Sequence, residues 1–265
     1  MKIAIATASL KLELRRSLDA AAKTGAHGVT LDLRYELNQK DFGDTAIRQL
    51  KHYCGERDLS IAAGTFPLRT TLTEKEYLDL RIAGIKSAMD FAAKLNIRQL
   101  IMRWGRIPKV DDAIDPTFLT ISREICQHGN LVGVTPCLAP SGDSPNTLRQ
   151  LIQAIDTGPI AVEADLGGWV MQRQNPLEQL RELYNLIAHV QIRDAISDVD
   201  GSGREVPVGR GEIDWDHVAA LLHEMEYRQW MTVARNSGEN RFTEMSNAVA
   251  YIKRVFMIDQ LGAGS

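Results

Sequence analysis

Ser60-Ile61-Ala62-Ala63-Gly64, followed by an amphipathic stretch from Thr73 to about Leu95, is the part of the sequence that decides the fold. A short apolar run of this kind predicts a buried strand. Thr73 followed three residues later by Glu76 has the spacing of a capping box, which predicts a helix that begins at Thr73. One strand followed by one helix is the repeating unit of α/β folds.

The same strand–helix pair recurs eight times along the 265 residues. The other predicted strands cover residues 3–8, 28–33, 98–102, 131–138, 160–164, 189–192 and 230–233. The other predicted helices cover residues 13–23, 45–56, 116–128, 176–186, 214–226 and 240–261, with one more opened by Ser144 and Pro145. Strands this short and apolar are not expected to have one face in solvent. We therefore predict the α/β class and a single (β/α)8 TIM barrel.

An open, doubly wound sheet is the alternative architecture. It would need a glycine-rich fingerprint after the first strand, and Ala8-Ser9-Leu10-Lys11 contains no glycine. No shift in composition marks a linker between domains. We therefore predict one domain over residues 1–261 and a disordered tail over residues 262–265.

Composition removes several classes of function. The chain has 31 Lys and Arg against 34 Asp and Glu, so it lacks the basic surplus that phosphate-driven binding to nucleic acid requires. No apolar run reaches the ~18 residues of a membrane span, so no membrane partner is expected. The three cysteines form no C-x-x-C pair. Scattered cysteines are typical of buried thiols in a reducing compartment, and we predict a cytoplasmic protein.

Arginine and tryptophan dominate the predicted carboxyl ends of the strands, where TIM barrels place their functional groups. Trp104 and Trp169 could supply a flat face for a sugar ring, with packing against loops as the alternative for each. The arginines suggest a mouth that binds a small anion, because a guanidinium offers bidentate donors to carboxylate or phosphate. Solvated charges paired with acidic residues are the alternative. These arginines are Arg34, Arg103, Arg106, Arg193, Arg210 and Arg235.

Four segments in chain order carry a family resemblance: Gly28–Arg34, Gly105–Pro108, His189–Ala195 and Val206–Trp215. The most specific of them is the P-x-G-x-G-x-I-D-W pattern that starts at Pro207. Together they resemble the sugar phosphate isomerase/epimerase family, in the xylose-isomerase-like TIM barrel superfamily. The resemblance implies a divalent metal such as Mn, Mg or Zn, held in the barrel mouth by two glutamates, an aspartate and a histidine. The metal would polarise a carbonyl while a glutamate moves a proton between adjacent carbons.

The sequence departs from the implied ligand set at three of its four positions. Asp165 is retained, whereas Ala139, Gln191 and Ala234 stand where the resemblance implies Glu, His and Glu. One carboxylate and one neutral amide cannot compensate for the dehydration of a small divalent cation. We therefore expect neither a metal nor another cofactor. No residue receives a catalytic role, and whether the chain is an enzyme stays open.

The sequence thus predicts a barrel that binds a small polar or anionic metabolite, such as a sugar or sugar phosphate, without metal-dependent catalysis. The alternative is an active carbohydrate isomerase or epimerase with non-standard metal ligands, for instance Glu163, Asp165, Asp32 and Glu36. A purely structural or interaction protein is a further alternative. The residues expected to bind the ligand in the barrel mouth are Asp32, Trp104, Arg106, Asp165, Trp169, Gln191, Arg210 and Arg235.

Overall fold

Eight parallel strands close into a barrel in the computed structural model, which describes residues 1–37, 39, 42–198 and 203–258. Including four short strands outside the barrel, the strands of the described residues are β1 (Lys2–Ala6), β2 (Gly28–Asp32), β3 (Ser60–Thr65), β4 (Gln99–Met102), β5 (Lys109–Val110), β6 (Ala113–Ile114), β7 (Thr135–Leu138), β8 (Ala161–Asp165), β9 (Ile187–Ile192), β10 (Asp194–Ser197), β11 (Gly203–Val206) and β12 (Trp230–Val233). The eight barrel strands follow the order β1-β12-β9-β8-β7-β4-β3-β2. The predicted (β/α)8 TIM barrel is confirmed.

The barrel strands are buried on both sides, as their apolar sequences predict. Every residue of β2 and of β8 is buried. The pairing is parallel throughout the barrel, with Ile3 opposite Met231 and Ala4 opposite Gly28. Parallel strands therefore deliver their carboxyl ends, and the residues that follow them, to one end of the barrel.

The helices follow the strands, and side-chain caps fix several of their starts. Ser144 Oγ accepts a hydrogen bond from the Thr147 N–H at 3.2 Å, and Asp214 Oδ1 accepts one from the His217 N–H at 3.1 Å. Both starts agree with the sequence prediction. The helices are α1 (Leu14–Lys23), α2 (Asp44–Gly55), α3 (Leu78–Lys94), α4 (Pro116–Val132), α5 (Pro145–Ala154), α6 (Leu166–Met171), α7 (Pro176–Leu183), α8 (Trp215–Glu224) and α9 (Arg241–Val255).

The start predicted for α3 was wrong, because α3 begins at Leu78 and not at Thr73. The Thr73 hydroxyl lies 2.7 Å from the hydroxyl of Thr71, so it bonds within the loop. Arg81 donates to two backbone carbonyls of the preceding segment, at 2.9 Å each. These side-chain bonds hold the segment in turns, and Tyr77 enters the helix with a left-handed φ of +54°.

Other differences from the prediction concern boundaries and short elements. The strand predicted from residue 131 begins only at Thr135, because α4 continues to Val132 and ends at Gly133, whose φ is +74°. Two short antiparallel pairs, β5 with β6 and β10 with β11, were not predicted, and neither was α6. The helix predicted to residue 261 ends at Val255. The predicted disordered tail over residues 262–265 lies outside the described residues.

The chain groups into two compact units. The first unit contains Met1–Thr30, Tyr53–Ala62 and the chain from Ala164 onward, and the second contains Leu31–His52 and Ala63–Glu163. The extent of a single domain over residues 1–261 stays a prediction. Among the helices described, none has the length and apolar character needed to cross a membrane.

Candidate functional site

An ion pair occupies the carboxyl end of β8 in the first unit. Asp165, the last residue of that strand, accepts a hydrogen bond from Nε of Arg193 at 3.1 Å and a second from Nη2 of the same guanidinium. The Gly168 N–H donates to the same carboxylate at 3.0 Å. Both side chains of the pair are less than a tenth exposed. A buried bidentate pair therefore neutralises the one carboxylate that the sequence retains among the implied metal ligands.

Two consecutive glycines leave the space that this ion pair occupies. A Cβ atom on Gly168 would lie 2.4 Å from Oδ2 of Asp165, and one on Gly167 would lie 2.9 Å from Cβ of Arg193. Atoms cannot pack that closely, so both positions require glycine while the pair keeps its geometry. The pair is thus built into the local backbone.

A second group of charges lies at the carboxyl end of β12. Nε of Arg235 donates to Oε2 of Glu244 at 2.6 Å, and its Nη1 lies 3.6 Å from Oε1 of Glu205. The other carboxylate oxygen of Glu205 lies 3.8 Å from Nη1 of Arg193. Arg193 and Arg235 are therefore paired with acids, which was the alternative to anion binding. Neither offers an uncompensated charge to an anion. The acids are Asp165, Glu205 and Glu244, none of which the sequence analysis had proposed as their partners.

Asp194 explains the segment that carries the most specific resemblance. Its fully buried carboxylate accepts hydrogen bonds from the N–H of Gly209 at 2.8 Å, the N–H of Gly211 at 3.1 Å and the indole of Trp215 at 3.0 Å. A Cβ on Gly211 would lie 2.0 Å from Oδ1 of Asp194. The carboxylate thus requires glycine at position 211 and binds the indole of Trp215, while Gly209 has a left-handed φ of +83°. Arg210 lies exposed between the two glycines.

Hydroxyl and imidazole groups form a buried chain deeper in the first unit. Nε2 of His189 lies 2.8 Å from Oγ1 of Thr232, which lies 2.8 Å from Oγ1 of Thr30. His189 and Thr232 each stand two positions before a strand-end residue, Gln191 and Ala234, so they point to the same side of their strands. These three buried side chains therefore form two hydrogen bonds with one another.

In the second unit, Asp32 ends β2 and organises the turn that follows. Its Oδ1 accepts from the N–H of Arg34 at 2.8 Å and of Tyr35 at 2.9 Å, and its own N–H donates to Glu36 at 2.9 Å. Burial raises the pKa of Asp32 above its ordinary value, and outweighs the lowering effect of the two backbone bonds and of Arg34. Asp32 therefore fixes the backbone of the turn that contains Arg34.

Three arginines of the second unit line a pocket of about 370 Å³, which we call the arginine pocket. They are Arg34, Arg69 and Arg81, and they come from the segments after β2 and β3 and from the start of α3. The Arg34 guanidinium lies 5.2 Å from the ring centroid of Phe66, which also lines the pocket. Its Nη1 donates to the carbonyl oxygen of Pro67 at 2.8 Å.

The structure buries two predicted ligand-binding residues and exposes two others. Trp104 and Trp169 have 0% and 1% of their surface exposed, and Trp104 packs edge-on against Phe118. Both tryptophans therefore pack inside the protein, which was the alternative to stacking on a sugar ring. A side chain without exposed surface offers no face for stacking. Arg106 and Arg210 are exposed, each within its own unit.

The residues at the implied metal-ligand positions do not fit a divalent cation. Ala139 and Ala234 carry no donor atom, Gln191 offers only an amide, and Asp165 is held by Arg193. Over residues 1–37, 39, 42–198 and 203–258, no three His, Cys, Asp or Glu side chains are grouped as a metal site would need. The non-standard ligand set of Glu163, Asp165, Asp32 and Glu36 supplies no such group among these residues either.

Residues 18–255 match the family model of the xylose isomerase-like TIM barrel. The chain belongs to this family. The resemblance predicted from the four segments is therefore confirmed at the level of the family. Among curated protein sequences, none matches the chain significantly.

Solved structures of related barrels share the fold of this xylose isomerase-like chain. A xylose isomerase domain protein from Planctomyces limnophilus has a TM-score of 0.84 at 16% identity, with 96% of each chain covered. D-psicose 3-epimerase from Clostridium cellulolyticum H10, solved with D-tagatose, has a TM-score of 0.76 at 14% identity, covering 97% of this chain and 99% of the other. A sugar phosphate isomerase/epimerase from Parabacteroides distasonis has 0.68 at 17%, covering 94% and 93%. Identities this low show the fold and leave the activity open.

Sequence reasoning missed four charged residues that shape these sites. Glu205 lies in the unpredicted strand β11, and Glu244 lies in the first turn of α9. Arg69 and Arg81 lie in a loop and a helix whose boundary was predicted wrongly. Short-range patterns contain no signal for Glu205, because its partners follow it or precede it by more than ten positions.

Proposed function

We propose that this xylose isomerase-like barrel binds a small polar or anionic metabolite, of the sugar or sugar phosphate class, without metal-dependent catalysis. The observation that carries the proposal is the Arg193 guanidinium bound to the Asp165 carboxylate. A fixed cation already compensates the charge of that carboxylate. A divalent ion would have to displace a buried guanidinium to reach it.

The neighbouring strand ends support the same proposal. The chemistry of metal-dependent isomerisation needs a polarising cation and a carboxylate that moves a proton. Ala139 and Ala234 supply neither a ligand nor a base at the two positions where the resemblance implies glutamate.

Arg106 in the second unit and Arg210 in the first are each exposed on a fixed loop, and we propose that one or the other recognises the ligand. Asp143 is buried and accepts from the N–H of Ile107 at 2.8 Å, which holds the loop that carries Arg106. Asp194 holds the loop of Arg210 through the flanking glycines in the same way. Among the described residues neither Arg106 nor Arg210 forms an ion pair with a carboxylate, so each stays available for an anion.

Metal content tests the proposal directly. Protein purified without chelator is expected to contain well under one equivalent of Mn, Mg or Zn by mass spectrometry of the metals. Calorimetric titration with Mn²⁺ should give no heat of binding. One equivalent of metal that disappears in the Asp165→Asn variant would overturn the proposal.

Variants that introduce the implied metal ligands test whether Arg193 prevents metal binding. The triple variant Ala139→Glu, Gln191→His and Ala234→Glu should bind Mn²⁺ weakly, because Asp165 stays occupied. Adding Arg193→Gln should tighten binding by about tenfold or more, since it frees a carboxylate ligand. Arg235→Gln in the same triple background is the matched control, because Arg235 is also buried and has no bond to Asp165 among the described contacts. Equal affinity in the two quadruple variants would contradict the role of Arg193.

We further propose a cytoplasmic location, on the state of the cysteines. All three are free and buried. Burial raises the pKa of Cys54 to about 11 and that of Cys126 to about 12, so these thiols are protonated and unreactive at neutral pH. Cell fractionation with an antibody to the chain tests this, and recovery outside the cytoplasm would contradict it.

A further inference from the structure

The arginine pocket of the second unit brings three guanidinium groups to one opening. Its wall consists of Arg34, Arg69 and Arg81 with Phe66, Tyr77 and Leu80 as the main apolar groups, and among the residues that the structure describes no Asp or Glu lines it. In the described part of the chain, none of these three arginines forms an ion pair with a carboxylate. Three like charges around one opening repel each other, and an anion placed between them would relieve that repulsion.

Neutral carbonyl groups orient two of the three guanidiniums. Arg81 donates from Nη1 to the carbonyl oxygen of Glu74 and from Nη2 to that of Glu76, at 2.9 Å each. Arg34 donates to a carbonyl oxygen and lies against the Phe66 ring. Carbonyl bonds position a guanidinium but leave its formal charge uncompensated. A pre-positioned donor loses less conformational freedom when it binds a ligand.

Apolar side chains border the same pocket on its open side. Tyr77 is 69% exposed and Leu80 is 71% exposed, although both line the pocket. Tyr77 also keeps a left-handed backbone, an uncommon conformation for a residue with a large side chain. Small-molecule sites combine apolar walls with a few convergent polar groups, and the pocket volume lies at the lower end of their range.

We propose that the arginine pocket binds a small organic anion, with its carboxylate or phosphate on the three arginines and its carbon skeleton against Phe66, Tyr77 and Leu80. A pocket of about 450 Å³ in the first unit provides the contrast, because Glu212 and Asp214 line it together with Arg173. The inference goes beyond the proposed function, because the arginine pocket contains neither Arg106 nor Arg210 and is a separate anion site.

Calorimetry with phenyl phosphate, benzoate, inorganic phosphate and benzyl alcohol tests the ligand class. Phenyl phosphate or benzoate should bind, and which of them binds more tightly distinguishes a phosphate from a carboxylate ligand. Inorganic phosphate should bind more weakly than phenyl phosphate, and benzyl alcohol should not bind. Failure of both aromatic anions to bind, or equal binding of the neutral alcohol, would overturn the inference.

Variants of pocket residues then locate the bound anion. Arg69→Ala should weaken phenyl phosphate binding by about tenfold or more, and Arg69→Lys should retain part of the affinity. Leu80→Ala should weaken phenyl phosphate but leave inorganic phosphate unchanged. Arg48→Ala is the matched control, since Arg48 is an exposed arginine of the same unit outside the pocket.

The outcome also separates this inference from the proposed function. If Arg69→Ala leaves binding unchanged while Arg106→Ala or Arg210→Ala abolishes it, the anion binds at the fixed loops and the arginine pocket is refuted. If metal analysis finds a bound ion while Arg69→Ala still weakens anion binding, the metal-free proposal fails and the arginine pocket stands.

Discussion

Arginines follow strand ends in both units, but their surroundings differ. In the first unit Arg193 and Arg235 are buried and bonded to carboxylates. In the second unit Arg34 and Arg69 line an open pocket, and within the described residues neither pairs with an acid. The same side chain in the same kind of position is thus bound to a carboxylate in one unit and lines a pocket in the other. The difference is whether a carboxylate lies within ion-pair distance of the guanidinium.

Removing the acid from the buried pair should have the largest effect. Asp165→Ala leaves the Arg193 guanidinium buried without its bidentate partner, and we expect a loss of about 3–5 kcal/mol in the free energy of unfolding. The melting temperature should fall by roughly 10 °C, measured by circular dichroism. Arg69→Ala, the matched change in the second unit, should alter stability by no more than about 0.5 kcal/mol. Similar losses in the two variants would remove the distinction between the two sets of arginines.

The pair of Arg235 and Glu244 should show a smaller coupling. Its two side chains are 9% and 24% exposed, so water screens this pair more than the pair at Asp165. A double-mutant cycle with Arg235→Met and Glu244→Gln is expected to give a coupling energy of about 1–2 kcal/mol in urea unfolding. The surface pair of Lys86 and Glu124, 2.7 Å apart, is the control and should give less than about 1 kcal/mol. Equal coupling in both cycles would argue that burial does not distinguish them.

The carboxyl group beside Arg34 should give the smallest effect, with a defined dependence on pH. Burial raises the pKa of Asp32, so the folded state holds a proton on it at pH values where the unfolded state has lost that proton. The stability of the native chain is therefore reduced as the pH rises from about 4 through the raised pKa. Asp32→Asn keeps an oxygen for the two N–H donors. Its free energy of unfolding, compared with that of the unmutated chain at the same pH, should be more favourable at pH 7 than at pH 4.

The half-exposed Asp19 provides a control of opposite sign for that measurement. The hydrogen bond from Arg57 lowers the pKa of Asp19, so its charged form contributes stability that is lost as the pH falls. Compared with the unmutated chain at the same pH, Asp19→Asn should therefore have a less favourable free energy of unfolding at pH 7 than at pH 4. If Asp32→Asn changes with pH in the same direction as Asp19→Asn, desolvation does not control Asp32.

Much of the barrel could be predicted from local sequence. The strand over Trp230–Val233 has the predicted bounds, and Ser144 caps α5 as its sequence indicates. The start of α3 could not be predicted in this way. Thr73 carries a correct local signal for a helix, but Thr71 and Arg81 compete for the same segment with side-chain hydrogen bonds. A capping motif describes what a helix start allows, and other bonds in the loop can override it.

The candidate site was predictable only in part, for a related reason. The sequence shows that Ala139, Gln191 and Ala234 replace the implied ligands, and this needs no structure because the loss of donor atoms is chemical. It could not show that Glu205 lies near both Arg193 and Arg235, since these residues come from separate elements.

The sequence by itself determined the alternation of strands and helices, the family, and the identity of the side chains at each strand end. Apolar periodicity and turn chemistry act over a few residues, so they can be read locally. Only the tertiary structure decided which arginines are neutralised and which line an open pocket. Charge compensation depends on distances of about 3–4 Å between groups far apart in the chain, and those distances exist only after folding.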